Sequence, residues 1–200
     1  MIEAYFDDLE ERIEFLNQLN QGGRKDEALM LCCCYIEAIG SRKYYHSDRK
    51  GKNFAKILEK ASENTLFSMI HPAKLLGVLK CIKLFKKDLV KIEPLIEKYG
   101  KTLQSQEEVL SNLQPVMSPA QITWCGDNFF KGTIAAITYD LVRSELVHDI
   151  SIGEVTFSET IVNGKLVPDL NFDLLFPALV NIFLYIKNES MNKNKWYWEL

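Results

Sequence analysis

The sequence has no long hydrophobic run. No stretch of the chain approaches the roughly 18 consecutive apolar residues of a membrane-spanning helix. The first residues, from Met1 to Asp8, are acidic and amphipathic, whereas a secretory signal peptide begins with a basic segment followed by an apolar one. We therefore expect a cytoplasmic protein that has no membrane among its partners.

The cysteines lack the spacing of a metal site. Five are present: Cys32, Cys33 and Cys34 are consecutive, and Cys81 and Cys125 lie far from them. Three consecutive residues of a helix point in three directions, so their thiols cannot converge on one zinc ion. No Cys-x2-Cys pair or suitably spaced histidine completes a ligand set. We expect reduced cysteines packed as small apolar residues, with no metal and no cofactor.

Familiar catalytic motifs are also missing. The chain has no Gly-rich phosphate loop, no Gly-x-Ser-x-Gly elbow, no His-Glu-x-x-His and no run of acidic calcium ligands. It has three histidines, His46, His71 and His148. Any imidazole chemistry therefore depends on one of these three positions, and we assign no role to His71, which precedes Pro72 at an expected helix start.

Apolar residues, in contrast, are sufficient for a core. They make up 47 % of the 200 residues, enough for one folded domain over 1–200 without disulfides or a metal. Their spacing of three and four predicts a mainly all-α fold. The predicted helices cover about 3–20, 25–39, 54–61, a long stretch from Pro72 that Pro94 breaks or kinks, 95–99, 104–113, 119–147 with a break near Gly126, and 173–188.

Two segments of this pattern stand out. The helix over 25–39 is apolar almost all round, so we expect it at the centre of the core, with Gly40 at its end. Residues 154–162 and 165–170 are expected to be strands, because they flank Asn163-Gly164, a strong signal for a tight hairpin turn. The sequence therefore predicts a helical bundle with one β-hairpin, about 154–170, inserted before the last helix.

The charge is unevenly distributed. The formal net charge is −3, which argues against a protein that coats nucleic acid by charge alone. Residues 41–60 and residues 74–101 each carry a net charge of +5, so the rest of the chain carries −13. A basic middle in an acidic chain can form a local phosphate-binding surface. Its lysines can equally be the solvated faces of ordinary helices.

A basic and aromatic segment lies in the first of these stretches. Arg42, Lys43, Tyr44 and His46 combine positive charge with rings that can stack on a base while a cation holds a phosphate. We take these four residues as candidate RNA-binding residues. The alternative is an exposed loop with two half-buried tyrosines.

The best functional clue is the pair Arg143 and His148, which four residues separate. On a straight helix the two side chains would lie about 140° apart, so they converge only where the helix ends or across a cleft to a partner. A guanidinium can neutralise a phosphate whose charge grows in the transition state. An imidazole can take a proton from a 2′-hydroxyl or give one to the leaving oxygen near neutral pH. Such a pair suits RNA cleavage without a metal.

The segment Arg143-Ser-Glu-Leu-Val-His148 resembles the HEPN superfamily, small helical bundles with an Arg-x4–6-His motif near the end of a late helix. The apolar helix from Ala28 to Ile39 is similar to their early core helix, and the resemblance covers about 25–190 in outline. It implies a homodimer whose two motifs face each other, and metal-independent endoribonuclease activity. Toxin–antitoxin systems, phage (antiviral) defence and CRISPR-linked systems are the usual settings. Active members usually have Asn, Asp or His where this chain has Ser144.

Two functions follow from these observations. As a ribonuclease, the protein would use His148 as general acid and base and Arg143 to bind the scissile phosphate, with Ser144 and Glu145 in support. A homodimer would supply both an acid and a base, RNA would be the substrate, and a protein antitoxin or regulator would be a further partner. The alternative is a non-catalytic dimerisation or partner-binding module. Arg143 would then pair with Asp140 on the helix surface, and His148 would be a polar residue at a helix C-terminus.

Overall fold

The structure is a computed structural model, and it describes residues 1–45, 50–144, 157 and 159–200. Over those ranges it is mainly α-helical with a short antiparallel hairpin before the last helix, which confirms the predicted fold class. No helix in the described part combines the length and apolar content that crossing a bilayer requires. Over the described residues the α-helices are α1 (Ile2–Gln21), α2 (Lys25–Lys43), α3 (Lys50–Ala61), α4 (Pro72–Cys81), α5 (Leu89–Glu97), α6 (Gln106–Leu113), α7 (Pro119–Asn128), α8 (Ile134–Ile137) and α9 (Phe172–Lys193).

The contacts divide the chain into two compact units. Unit 1 comprises residues 1–64, 138–156 and 169–200, and unit 2 comprises 65–137 and 157–168. Unit 1 therefore contains α1, α2, α3 and α9, and it also contains the segment with the Arg143 motif. Unit 2 contains α4 to α8 and the hairpin.

The helix α2 is at the centre of unit 1, as its apolar pattern predicts. It packs against α1, α3 and α9, and Cys32, Cys33 and Ile36 on it are fully buried. Burial raises the pKa of both of these thiols above the ordinary value. All five cysteines are free, but Cys81 is exposed, so the expectation that they all pack as apolar residues was wrong there.

The predicted end of α2 at Gly40 was wrong, because the helix continues to Lys43. A Cβ on Gly40 would lie 2.7 Å from the carbonyl oxygen of Asn53 and 3.0 Å from Cγ2 of Ile57. The glycine therefore allows α2 and α3 to approach each other closely. Beyond the end of α2, the Asn53 side chain donates a hydrogen bond to the carbonyl of Tyr44 at 3.2 Å.

In unit 2, the long helix predicted from Pro72 is two separate helices. The first, α4, ends at Cys81, Ile82 is extended, and α5 begins at Leu89 after a 3-10 turn. Pro94 lies inside α5 and not at the break. Phe85, in the turn between the two helices, is fully buried, whereas Val90 on α5 is 76 % exposed.

The helix predicted over 119–147 is likewise interrupted, and residues 145–147 of it lie outside the described residues. Its start is confirmed, because Ser118 and Gln121 form a reciprocal capping box ahead of Pro119. However, α7 passes through Gly126, where a break was predicted, and ends at Asn128. A 3-10 turn, α8 and a π-helical turn follow, each contributing only four to six residues.

The hairpin forms at the predicted turn. Strand β1 (Ile161–Val162) pairs with β2 (Lys165–Leu166), and Asn163 and Gly164 adopt positive φ values of 50° and 75°, as a tight hairpin turn requires. The return strand is shorter than predicted. Opposite its far end, Glu159 adopts a positive φ of 62°, which interrupts the extended backbone of the first strand. Residues 154–156 and 158 of the predicted first strand lie outside the described residues. The last helix, α9, runs to Lys193, further than predicted.

Candidate functional site: the Arg143 segment and the end of α2

Arg143 is the last residue of a π-helical turn, Thr138–Arg143, in unit 1. Such turns are rare and occur frequently at functional sites. The turn is anchored through Tyr139, whose ring centre lies 5.4 Å from that of Phe54 on α3. A Cβ on Gly51 would lie only 2.9 Å from Cε1 of Tyr139, so the glycine leaves room for the ring. These contacts fix the direction in which the turn presents Arg143.

The guanidinium of Arg143 forms an ion pair with Glu37, through Nε and Oε2. The Arg143 side chain is 16 % exposed and the Glu37 side chain 10 %. The guanidinium carbon also lies 5.5 Å from the ring centre of Tyr139. Arg143 is therefore a largely buried cation that is held by one carboxylate and one aromatic ring.

Glu37 is the residue of this site that the sequence analysis missed. It lies 106 positions before Arg143, so no local pattern connects the two. A signal was nevertheless present, because Glu37 is a carboxylate in the last turn of a predicted helix that is apolar almost all round. Buried carboxylates are nearly always paired, so a partner from another element could have been expected.

The surroundings of the ion pair have low polarity. Cys33 is fully buried and Cys34 half-buried, and burial raises the pKa of both thiols while the nearby charge of Arg143 opposes that rise. Burial likewise raises the pKa of the Tyr139 hydroxyl. The three groups are therefore neutral near pH 7, so they add no charge beside the ion pair.

Ser144 closes the π-helical turn. Its hydroxyl donates a hydrogen bond to the carbonyl oxygen of Tyr139 at 3.0 Å, which leaves the oxygen of Ser144 able to accept a second bond. The other two predicted catalytic residues, Glu145 and His148, lie outside the described residues. Of the four predicted catalytic residues, the structure thus places Arg143 and Ser144 at one turn.

Three of the predicted RNA-binding residues, Arg42, Lys43 and Tyr44, lie at the end of α2. Lys43 Nζ lies 2.5 Å from Oε2 of Glu189, and the Lys43 side chain is only 8 % exposed. Although burial opposes the charge, the contact with Lys43 helps to hold the pKa of Glu189 below its ordinary value. The Tyr44 ring lies 3.9 Å from the ammonium of Lys56, and burial raises the pKa of Tyr44 to about 12.

Arg42 is exposed and lies beside a cavity. Its guanidinium carbon is 4.9 Å from the ring centre of Trp198. The cavity has a volume of about 380 Å³ and is lined by Arg42, Tyr45, Trp198 and Glu199. The fourth predicted RNA-binding residue, His46, lies outside the described residues. No local sequence pattern connects Arg42 to Trp198, because 156 positions separate them.

The second basic stretch lies in unit 2. Two of its lysines are paired, Lys80 with Glu93 at 2.5 Å and Lys101 with Glu159. Four others are exposed on the segment between α4 and α5 and on α5 itself: Lys83, Lys86, Lys87 and Lys91. These four present positive charge to solvent.

Among the residues that the structure describes, no group of three His, Cys, Asp or Glu side chains could hold a metal ion. Comparisons with protein-family models, with curated proteins and with solved structures found no match to this chain.

Proposed function

We propose that this protein is a metal-independent endoribonuclease of the HEPN type, acting as a homodimer with a composite site of Arg143 and His148 from both copies. The observation that supports it best is the fixed position of Arg143 at the end of the π-helical turn. A guanidinium that stabilises a transition state must be in place before the reaction, since moving it during the reaction would cost free energy. Glu37 and Tyr139 hold Arg143 in this way.

The roles of the residues follow from their chemistry. Arg143 contacts the scissile phosphate and neutralises the charge that grows on its oxygens. His148 of one copy takes the proton from the 2′-hydroxyl, whose oxygen attacks the phosphorus, and His148 of the second copy protonates the leaving 5′-oxygen. The products are a 2′,3′-cyclic phosphate and a 5′-hydroxyl. Ser144 and Glu145 support the site.

Glu37 acts as a positioning residue, because its carboxylate pairs with the guanidinium of Arg143. The exposed lysines of unit 2 would attract the RNA backbone before cleavage. We propose that the protein acts in the cytoplasm as a toxin or a phage-defence enzyme and that a protein antitoxin controls it.

The test is cleavage of end-labelled single-stranded RNA in EDTA by the full chain. We expect the wild type to yield 2′,3′-cyclic phosphate ends, and His148→Ala to yield none. Arg143→Lys, which keeps the charge but loses the guanidinium fork, is expected to lower the rate at least tenfold. Arg12→Ala is the matched control, because Arg12 pairs with Asp8 on an exposed face, where both side chains are 59 % exposed.

A second candidate function, the partner-binding module, is favoured by one observation. A largely buried Arg143 with its charge met by Glu37 also suits a purely structural ion pair. The module predicts no RNA cleavage by any variant, together with a change in homodimer mass when His148 or Arg143 is replaced. Light scattering on the same four proteins separates the two functions.

A further inference from the structure

The cavity beside Arg42 has no part in the cleavage reaction proposed above. It lies entirely in unit 1, between the last turn of α2 and the 3-10 turn Tyr197–Glu199. Its volume of about 380 Å³ is near the lower end of the range for small-molecule sites, roughly 300–1,000 Å³. A single nucleotide fits such a space, whereas a folded RNA does not.

The aromatic wall of this cavity is firmly held. The rings of Trp196 and Trp198 are stacked, with centres 4.7 Å apart and planes 9° from parallel. Tyr197, between them in the chain, is only 1 % exposed. The ring of Tyr5 on α1 packs edge-on against Trp198 at 5.8 Å. The wall is thus preformed, and it gives the Arg42 guanidinium, which lies over the Trp198 ring, a fixed support.

The Arg42 guanidinium, the cation that lines the cavity, is also held in position. The guanidinium of Arg42 lies against the Trp198 ring and interacts with the Tyr197 hydroxyl. Arg42 nevertheless remains an exposed residue, and Tyr45, which also lines the cavity, is 59 % exposed. Glu199 accepts a hydrogen bond from the backbone N–H of Trp196 at 3.1 Å, so its carboxylate caps the 3-10 turn.

We propose that this cavity binds one nucleotide of single-stranded RNA, with the base stacked against Tyr45 and the Arg42–Trp198 pair and with the phosphodiester at Arg42. Nucleic-acid bases stack on aromatic rings and on guanidinium planes. Every base has such a face, so the site accepts any base. Arg42 provides the phosphate contact instead of Lys43, whose ammonium is buried against Glu189. The choice of RNA as ligand rests on the proposed function.

The test measures binding without cleavage. The probe is a fluorescein-labelled eight-nucleotide 2′-O-methyl oligouridylate, which has no free 2′-hydroxyl and so cannot be cleaved by the proposed reaction. Its anisotropy gives the Kd for the full chain. Tyr45→Ala is expected to weaken binding roughly 5- to 100-fold, as loss of one stacking ring does. Arg42→Gln should weaken binding and reduce the slope of log Kd against log salt.

Phe15→Ala is the matched control, because Phe15 is an aromatic residue of α1 that is 50 % exposed in the same unit. Binding that Tyr45→Ala and Arg42→Gln leave unchanged, or that Phe15→Ala weakens equally, overturns the proposal. So does a wild type that cleaves RNA but does not bind the probe. The reverse result is binding that depends on Tyr45 in a protein that never cleaves RNA. It supports the binding site and refutes only the proposed nuclease activity.

Discussion

Removing one partner of the Arg143–Glu37 ion pair should cost much more stability than removing both. In Glu37→Gln the guanidinium loses its counter-charge but stays largely buried, since its side chain is only 16 % exposed. Arginine cannot relieve this by losing its proton. Breaking a buried pair in this way costs about 3–5 kcal/mol. The residual exposure of both groups places our expectation at the lower end, about 3 kcal/mol.

The complementary variants complete a double-mutant cycle. Arg143→Met leaves a buried carboxylate, which can accept a proton, so its cost should fall as the pH is lowered. The double variant Glu37→Gln/Arg143→Met removes both charges and their desolvation, and we expect it to be more stable than Glu37→Gln by about 2 kcal/mol. An exposed reference pair, Arg12 with Asp8, should give a coupling energy below about 0.5 kcal/mol.

The assay is urea unfolding at pH 7 followed by tryptophan fluorescence. Trp124 lies in unit 2, whereas Trp196 and Trp198 lie in unit 1. A Trp124→Phe background therefore makes the signal report on the unit that contains the ion pair. Single variants that each lose less than about 0.5 kcal/mol, with additive effects in the double variant, would refute the interpretation of a buried, coupled pair.

Three further predictions concern packing, pH and thiol reactivity. Gly40→Ala should lower the free energy of unfolding by about 1–3 kcal/mol through overpacking. Gly77→Ala, where nothing lies within 4 Å of the new Cβ, should raise the free energy of unfolding by about 0.5–1 kcal/mol. Equal urea midpoints for the two variants would contradict this prediction. Burial lowers the pKa of His71 in the folded protein below its ordinary 6.5. Its Nδ1 accepts a hydrogen bond from the Lys74 backbone N–H at 3.4 Å. The contribution of neutral His71 to folding stability is therefore full above pH 6.5 and is lost as the pH falls from there through the folded pKa. His71→Asn, a cap that does not titrate, should show a smaller loss of thermal stability between pH 7 and pH 5. A thiol reagent should label Cys81, the exposed cysteine, before the other four, and Cys81→Ser should remove this fast phase.

The sequence was most informative where the determinants of structure are local. The helix start at Pro119 and the turn at Asn163-Gly164 depend on residues within three positions of each other, and both form as predicted. The break at Ile82 could not be predicted, because the apolar residues around it satisfy a helical period while the core of unit 2 accepts only some of them. The end of α2 was misplaced for a related reason, since Gly40 serves a contact with α3 that the local pattern does not contain.

The contacts of the candidate site could not be predicted from the sequence either, because they also join residues that are distant in the chain. Arg143 was identified from its spacing to His148, but its contact with Glu37 joins residues more than one hundred positions apart. Similarly, Lys43 was predicted to bind RNA from its basic neighbours alone. Its ammonium instead meets Glu189 on α9. Charge patterns along a sequence predict where cations are, but the pairing of each cation depends on which elements pack together.

Under the proposed function, binding and cleavage should be separable, because both parts of the site depend on α2 but on different faces of it. Glu37, which positions Arg143, and Arg42, which lines the cavity, are five residues apart, so they lie about 140° apart around the helix. RNA in the cavity therefore does not touch the Arg143–Glu37 pair directly. We expect Tyr45→Ala to raise KM for RNA cleavage and leave kcat within about twofold, because the lost stacking is equal in ground state and transition state. Arg143→Lys should lower kcat instead. If Tyr45→Ala lowered kcat as much as Arg143→Lys does, the two parts would act as one site, and the helical separation would have no functional meaning.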